Sequence, residues 1–204
     1  MNAITQPTLP AIGTAMPGGF FAGAFMLNGQ RRAIIVSPKQ FGEFEDSVWI
    51  DDYQDVPGAK SFNDGLVNTK AMAEAGSEIA KQALATVIDG LNDYYIPSQD
   101  EKEIVYRAFK PTTETNSQWG RSGINVSAEV ATFPYSEDAP VQTQLDAFKE
   151  GGAEALEAKA YWTSTQHAAY SHDAWYQHFY DGYQSLSLTK SSELGVRLVR
   201  SQPI

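Results

Sequence analysis

Cysteine is absent from the 204 residues, which excludes disulfides, thiolate metal sites and any cysteine nucleophile. Charge is scarce as well. Asp, Glu, Lys and Arg make up 20% of the chain, and 25 acids against 15 bases give a formal net charge of −10. A surface of that sign repels phosphate backbones, so nucleic acid is not an expected partner. No run approaches the roughly 18 apolar residues that cross a bilayer, so no membrane partner is expected either. Residues 1–16 hold no Lys or Arg; the pattern of a secretory signal is missing, and synthesis in the cytosol is expected. There is no Gly-x-Ser-x-Gly elbow and no phosphate-binding glycine loop, so neither enzymatic activity nor a cofactor is expected. What remains is ordinary globular material, 42% hydrophobic and 12% aromatic, long enough for one large domain with its own core.

Residues 1–19 carry three prolines and three glycines and read as an extended amino-terminal arm, with residues 20–204 as the single domain. Two apolar runs, 20–27 and 33–36, flank Asn28-Gly29, the dipeptide best suited to a tight hairpin turn. Residues 39–60 are acidic and broken by Gly42, Pro57 and Gly58, the pattern of a loop. Over 62–88 the spacing of Leu66, Met72, Ile79, Ala83 and Val87 predicts a helix, capped by Asn63 or Asp64 and divisible at Gly76-Ser77. Ser98 and Glu101 form a capping-box pattern that starts a second helix, with Ile104, Val105, Ala108 and Phe109 as its buried face and Lys110-Pro111 as its end. Residues 112–140 are small and polar, and an ordered loop of that length implies a function or a packed unit. A short helix is expected between 142 and 149 and a final strand over 196–199. Strands, helices, a long loop and strands again make an α+β arrangement with helices segregated from an antiparallel sheet.

The informative stretch is 161–200. All three histidines, His167, His172 and His178, fall there with Tyr170, Tyr176, Tyr180 and Tyr183. Residues 174–179 alternate, Asp181-Gly182 is a turn signal, and 184–188 alternate back. Strand parity sends Trp175, Gln177 and Phe179 one way and Tyr176, His178 and Tyr180 the other. With the first set in the core, the second faces solvent, joined after the turn by Tyr183, Ser185 and Ser187. Tyr gives rigid contact area with a hydroxyl handle, and Ser gives adaptable hydrogen bonds, as binding surfaces require. The histidine spacing does not suit zinc. The acids Glu43, Asp46, Asp51 and Asp52 lack the spacing of a calcium loop, so no metal is expected.

Several segments carry a family resemblance: GGFFAG at 18–23, AIIVSPK at 33–39, FNDGLVNTKAMAEAGSEIA at 62–80, DYYIPSQDEKEIVYRAFKPTTETN at 93–116, YWTST at 161–165, AWYQHFYDGYQ at 174–184, Lys190, and VRLVR at 196–200. Together they resemble the Lcl C-terminal-domain family, in the form encoded among bacteriophage tail genes. The resemblance implies a C-type-lectin-like fold, similar to formylglycine-generating enzymes and to phage receptor-binding proteins diversified by retroelements. By position, Trp162, Trp175, Phe179, Gly182, Val196 and Arg197 would belong to the scaffold. Tyr170, Ser171, His172, Tyr176, His178, Tyr180, Tyr183, Ser185 and Ser187 would be presented to a ligand. The absence of cysteine excludes the formylglycine-generating chemistry. The Glu-Pro-Asn and Trp-Asn-Asp motifs of calcium-dependent sugar readers are also missing, so sugar recognition would run through stacking and hydroxyl bonds.

The function this implies is a non-enzymatic binding protein of a phage tail or fibre, facing a host-surface glycan or protein. The arm would attach it to a neighbouring virion protein. Homo-oligomers, trimers in the simplest case, would multiply weak contacts. The alternative is a structural decoration or baseplate component with no receptor.

Overall fold

A computed structural model describes residues 8–204. Its architecture is α+β, with two sheets and four helices among the described residues. The first sheet is antiparallel throughout: β1 (Ala15–Met16), β2 (Gly19–Leu27), β3 (Gln30–Val36) and β9 (Val199–Pro203), in that order. The second runs β4 (Glu43–Val48), β8 (Glu193–Arg197), β5 (Ala160–Gln166), β6 (Ala174–His178) and β7 (Gln184–Ser185), with β5 and β8 parallel and the other pairs antiparallel. Leu198 is the crossing point between the sheets. Its carbonyl accepts from the Ser37 backbone and hydroxyl, and its N–H donates to the Gly42 carbonyl.

Local signals set the elements they were expected to set. Asn28 and Gly29 both adopt positive φ, 51° and 77°, and turn β2 into β3 as a type I′ hairpin requires. Helix α2 (Gly65–Glu74) starts at Asp64, whose carboxylate accepts from the Val67 N–H. The Gly76-Ser77 break is real: Ser77 caps α3 (Glu78–Ala85) by accepting from the Ala80 N–H. Helix α4 (Gln99–Phe109) begins at the Ser98–Glu101 capping box.

Other expectations are corrected. Within 39–60 the chain forms a short helix, α1 (Lys39–Gly42), and the strand β4, which lies at the sheet edge with Glu45 and Asp46 exposed and Glu43 buried against Arg197. The helix expected at 142–149 is a single 3-10 turn at Asp146–Phe148. The strand expected at 196–199 is two strands, β8 and β9, broken at Leu198. Residues 1–7 of the arm lie outside the described residues; further on, Ala15–Met16 pairs with β2, and the Gly13 N–H donates to the Phe21 carbonyl.

Helix α4 is buried on nearly all sides, including its charged first turns. Gln99, Asp100, Glu101, Lys102 and Glu103 are each at most 1% exposed, a burial that charged residues tolerate only when partnered. Their side chains serve different parts of the fold. Asp100 takes Arg121 (2.6 Å) and the Ser127 hydroxyl (2.6 Å). Glu103 takes Arg107, Asn125 (2.8 Å) and the Tyr135 hydroxyl (3.1 Å). These bonds, with Lys110 and Asn116 further on, hold the irregular 112–140 segment in place. Glu103 therefore serves the loop, and only Glu101 caps.

Glu101 accepts from the Ser98 backbone and hydroxyl (2.8 Å each), the Tyr95 hydroxyl (2.6 Å) and the Gly65 N–H (3.0 Å). The last contact explains a glycine: a Cβ on Gly65 would stand 2.4 Å from the Glu101 carboxylate. Burial pushes this carboxyl up to about 7, against the pull of the Tyr95 and Ser98 hydrogen bonds. Each buried donor left unpaired costs about 1–3 kcal/mol. Glu101→Ala strands several at once, and a loss of about 3 kcal/mol or more is expected by urea denaturation.

Lys102 points the other way, with its ammonium 5.3 Å from the Tyr161 ring centre and 5.9 Å from that of Phe179. Burial lowers it to about 7. Because the unfolded chain holds this proton up to about 10.5, the lysine's stabilising contribution is complete above that value and is lost as pH falls through 7. Denaturation midpoints should therefore rise from pH 7 to pH 10, and Lys102→Met should flatten that rise and exceed the parent below pH 7. Parallel pH profiles for the two proteins would contradict this.

Candidate functional site

The nine residues expected to face a ligand do not form one surface. Tyr170 (54% exposed), His172, Tyr180 and Ser187 are exposed, while Ser171, His178 and Tyr183 are half-buried. Tyr176 and Ser185 are corrected: each is only 4% exposed. The Tyr176 ring packs edge-on against Trp162 at 5.9 Å, and its hydroxyl bonds the Ser187 hydroxyl at 2.8 Å. The parity of β6 is as expected, but both faces of its sheet are covered. Tyr161 and Phe179 pack with α4 residues on one side; Trp162 and Tyr176 share a core with Trp49, Ile79 and Val196 on the other. A strand enclosed on both faces has no solvent side to give to alternate residues.

The remaining residues separate along β6. His178 lies between the rings of Tyr176 (5.5 Å) and Tyr183 (6.2 Å, stacked). Tyr180 sits on the turn after β6, where its carbonyl accepts from the Thr112 hydroxyl at 2.6 Å. A hydrogen bond to the Glu114 carboxylate holds its phenol above the usual range. Tyr170, Ser171 and His172 occupy the loop before β6, on the order of 15 Å away at about 3.4 Å per strand residue.

That loop, residues 167–173, is the best-built part of the expected site. The His167 ring stacks under Tyr170, centres 4.9 Å apart and planes 13° apart. Its Nδ1 accepts from the backbone N–H groups of Ala169 (3.3 Å) and Tyr170 (3.0 Å), which leaves Nε2 as the donor of the neutral ring. Behind His167 stands Trp175 at 5.8 Å, then Phe62 at 6.0 Å, then the Arg121 guanidinium 4.4 Å over Phe62. Arg121 is tied to buried Asp100. A continuous series of rings thus connects the first turn of α4 to an open phenol. His172 flanks Tyr170 at 6.2 Å, and its Nε2 is 3.6 Å from the Asp173 carboxylate.

Lys190 pins this loop to its neighbour. Its ammonium, fully buried over the Trp49 ring at 4.5 Å, donates to the Gln166 side-chain oxygen (2.5 Å) and the Gln54 carbonyl (2.9 Å). Its backbone N–H donates to the His172 carbonyl at 2.9 Å. The same Gln166 oxygen accepts from the Val56 N–H at 2.7 Å, and the Gln166 amide donates to Asp55. Burial lowers the Lys190 ammonium to about 8, and Asp55 opposes the shift. The loop at 50–56, which carries exposed Tyr53, is thereby fixed against the loop that carries Tyr170. Sequence reasoning marked Lys190 only as part of a family signature, and it missed Tyr53, Phe62 and Arg121. Lys190 on Gln54, Phe62 on Trp175 and Arg121 on Phe62 and Asp100 are tertiary contacts that no local pattern records.

Four surface clefts are lined by none of the nine residues. Among the described residues, no group of three or more His, Asp or Glu side chains is arranged to hold a metal ion, and no helix is long and apolar enough to cross a membrane. Compared with known proteins, the sequence matches no family model and no curated protein.

Lys190→Met keeps the stem's volume and removes the ammonium's bonds to Gln54 and Gln166 while leaving the backbone bond to His172. It should cost about 1–2 kcal/mol through those two lost hydrogen bonds, and it should speed amide hydrogen exchange at both 50–56 and 167–173. Unchanged exchange in both loops would refute the pinning role.

Proposed function

We propose that this chain is a binding protein of a bacteriophage virion, carried on the tail or a fibre, with a C-type-lectin-like fold and no enzymatic activity. It presents the 167–173 loop to a receptor on the host surface. The observation that carries this reading is the Tyr170 phenol: exposed, stacked on His167, and backed by a series of rings anchored to the core. A side chain held this way loses little entropy when a partner binds. The α+β architecture and the carboxyl-terminal position of the loop support the fold resemblance. With Tyr176 and Ser185 buried, the presented set reduces to Tyr170, Ser171 and His172, with His178, Tyr180, Tyr183 and Ser187 at a distance. On this reading the arm joins the domain to a neighbouring virion protein, and trimeric display multiplies a weak single contact.

A second reading, a structural component of the virion with no receptor, draws on a different observation. Trp119, Val126, Val130 and Phe133, all in the 112–140 segment, are each more than three-quarters exposed. Exposed apolar groups in such numbers fit assembly contacts.

Adsorption separates the two. Purified protein should bind host cells, and the double variant Tyr170→Ala with His172→Ala should lose at least about tenfold in affinity, a factor of about 1.4 kcal/mol, at an unchanged melting temperature. Full adsorption by the double variant would eliminate the first reading. Trp119→Ser with Phe133→Ser should impair assembly only if the second holds.

A further inference from the structure

We infer that the first turn of α4 rests on a small group of enclosed, ordered waters, held between that turn, strands β6 and β7, and the chain at 120–122. The inference goes beyond the receptor-binding reading and does not depend on it.

Helix and strand run side by side, and their contacts fix the register. The Tyr106 ring meets the Phe179 ring at 5.5 Å. One turn earlier, Glu103 accepts from the Tyr135 hydroxyl (3.1 Å), which itself accepts from the Gln177 amide (3.2 Å). The next turn back brings Gln99 level with Trp175, two residues before Gln177 on the same face of β6. The backbone agrees: the Gln99 N–H donates to the Thr165 hydroxyl at 3.0 Å, and Thr163 on the same strand donates to the Trp175 carbonyl at 2.8 Å. Across β6 and β7, Gln184 is the register partner of Gln177, and its N–H donates to the Ser122 hydroxyl at 3.2 Å. The adjoining Arg121 lies 6.0 Å over the Trp175 ring and bonds Asp100 at 2.6 Å. Helix, strands and turn thus close around one set of side chains.

That set carries polar atoms shielded from solvent and paired with no group among the described residues. They are Nε2 and Oε1 of both Gln99 and Gln184, Oε1 of Gln177, Nε1 of Trp175 and Nε of Arg121. Gln99 and Gln177 are fully buried, and Gln184 is 3% exposed. Protein interiors leave few such atoms unpaired, so their concentration in one place points to a partner that is not protein.

The chemistry of the set selects that partner. Donors and acceptors are mixed, so the partner must both donate and accept. The Arg121 charge is answered by Asp100, so the partner is neutral. Four surface clefts reach none of these residues, so it is small enough to be closed in as the chain folds. Water meets all three conditions. About two or three molecules account for the set, at roughly three hydrogen bonds for each enclosed water. They join the first turn of α4 to Trp175, which stands behind His167 and Tyr170.

A crystal structure of the full chain, fine enough to show solvent, should hold waters bonded to Gln177, Gln184 and Trp175 behind that turn. Dry, close-packed side chains there overturn the inference. In solution, Gln184→Met keeps the length of the side chain and removes both of its polar atoms. Around enclosed waters it should lower the melting temperature, because the waters lose their partners; a higher melting temperature, the mark of a relieved unpaired amide, overturns the inference. Magnetic relaxation dispersion of the solvent separates a lost water from a packing fault. Fewer long-lived waters in the variant than in the parent support the inference, and an equal number refutes it.

Discussion

The carboxylate of Glu101 is the point on which the architecture turns. It closes the first turn of α4, receives the hydroxyl of Tyr95 from the segment paired with β9, and receives the first N–H of α2. The start of α4, the residues just before it and the start of α2, 36 residues earlier, therefore share one acceptor. Desolvating a carboxylate is costly, and here burial outweighs the hydrogen bonds and raises the carboxyl, but four bonds to one acceptor fix direction as well as distance. With its start secured, α4 can lie between the two sheets and turn its other charges to other tasks.

Those charges order the rest of the molecule. Asp100 and Glu103 reach outward to Arg121, Ser127, Asn125 and Tyr135, so a segment with little regular secondary structure is tied to the helix by side-chain hydrogen bonds. Arg121 then carries the order one step further, through Phe62 and Trp175 to the loop that bears Tyr170. Rigidity at the surface is inherited from a buried helix rather than built locally. The same logic governs Lys190, whose buried ammonium replaces the backbone pairing that two adjoining loops cannot make for themselves.

What the sequence discloses here is what short-range chemistry controls. Asn28-Gly29 turns a hairpin, Ser77 starts a helix, and Ser98 with Glu101 starts another; each needs only its own few neighbours. The strands β4 and β5 were not legible, because edge position and pairing with β8 depend on partners about 150 and 30 residues away. Tyr176 shows the limit most clearly. Alternation assigned its face correctly, but no alternation states whether a face meets water or a second layer of core. For the 167–173 loop, residue type singled out Tyr170 and His172, while Lys190 and Arg121 became meaningful only through tertiary contact.

The side chains of residues 168–172 contribute almost nothing to either core, whereas the backbone beneath them is held by Lys190 and His167. Exchanging those side chains would leave folding free energy nearly untouched. A lineage could thus explore new specificities there by single substitutions, each step viable, without first acquiring compensating changes elsewhere.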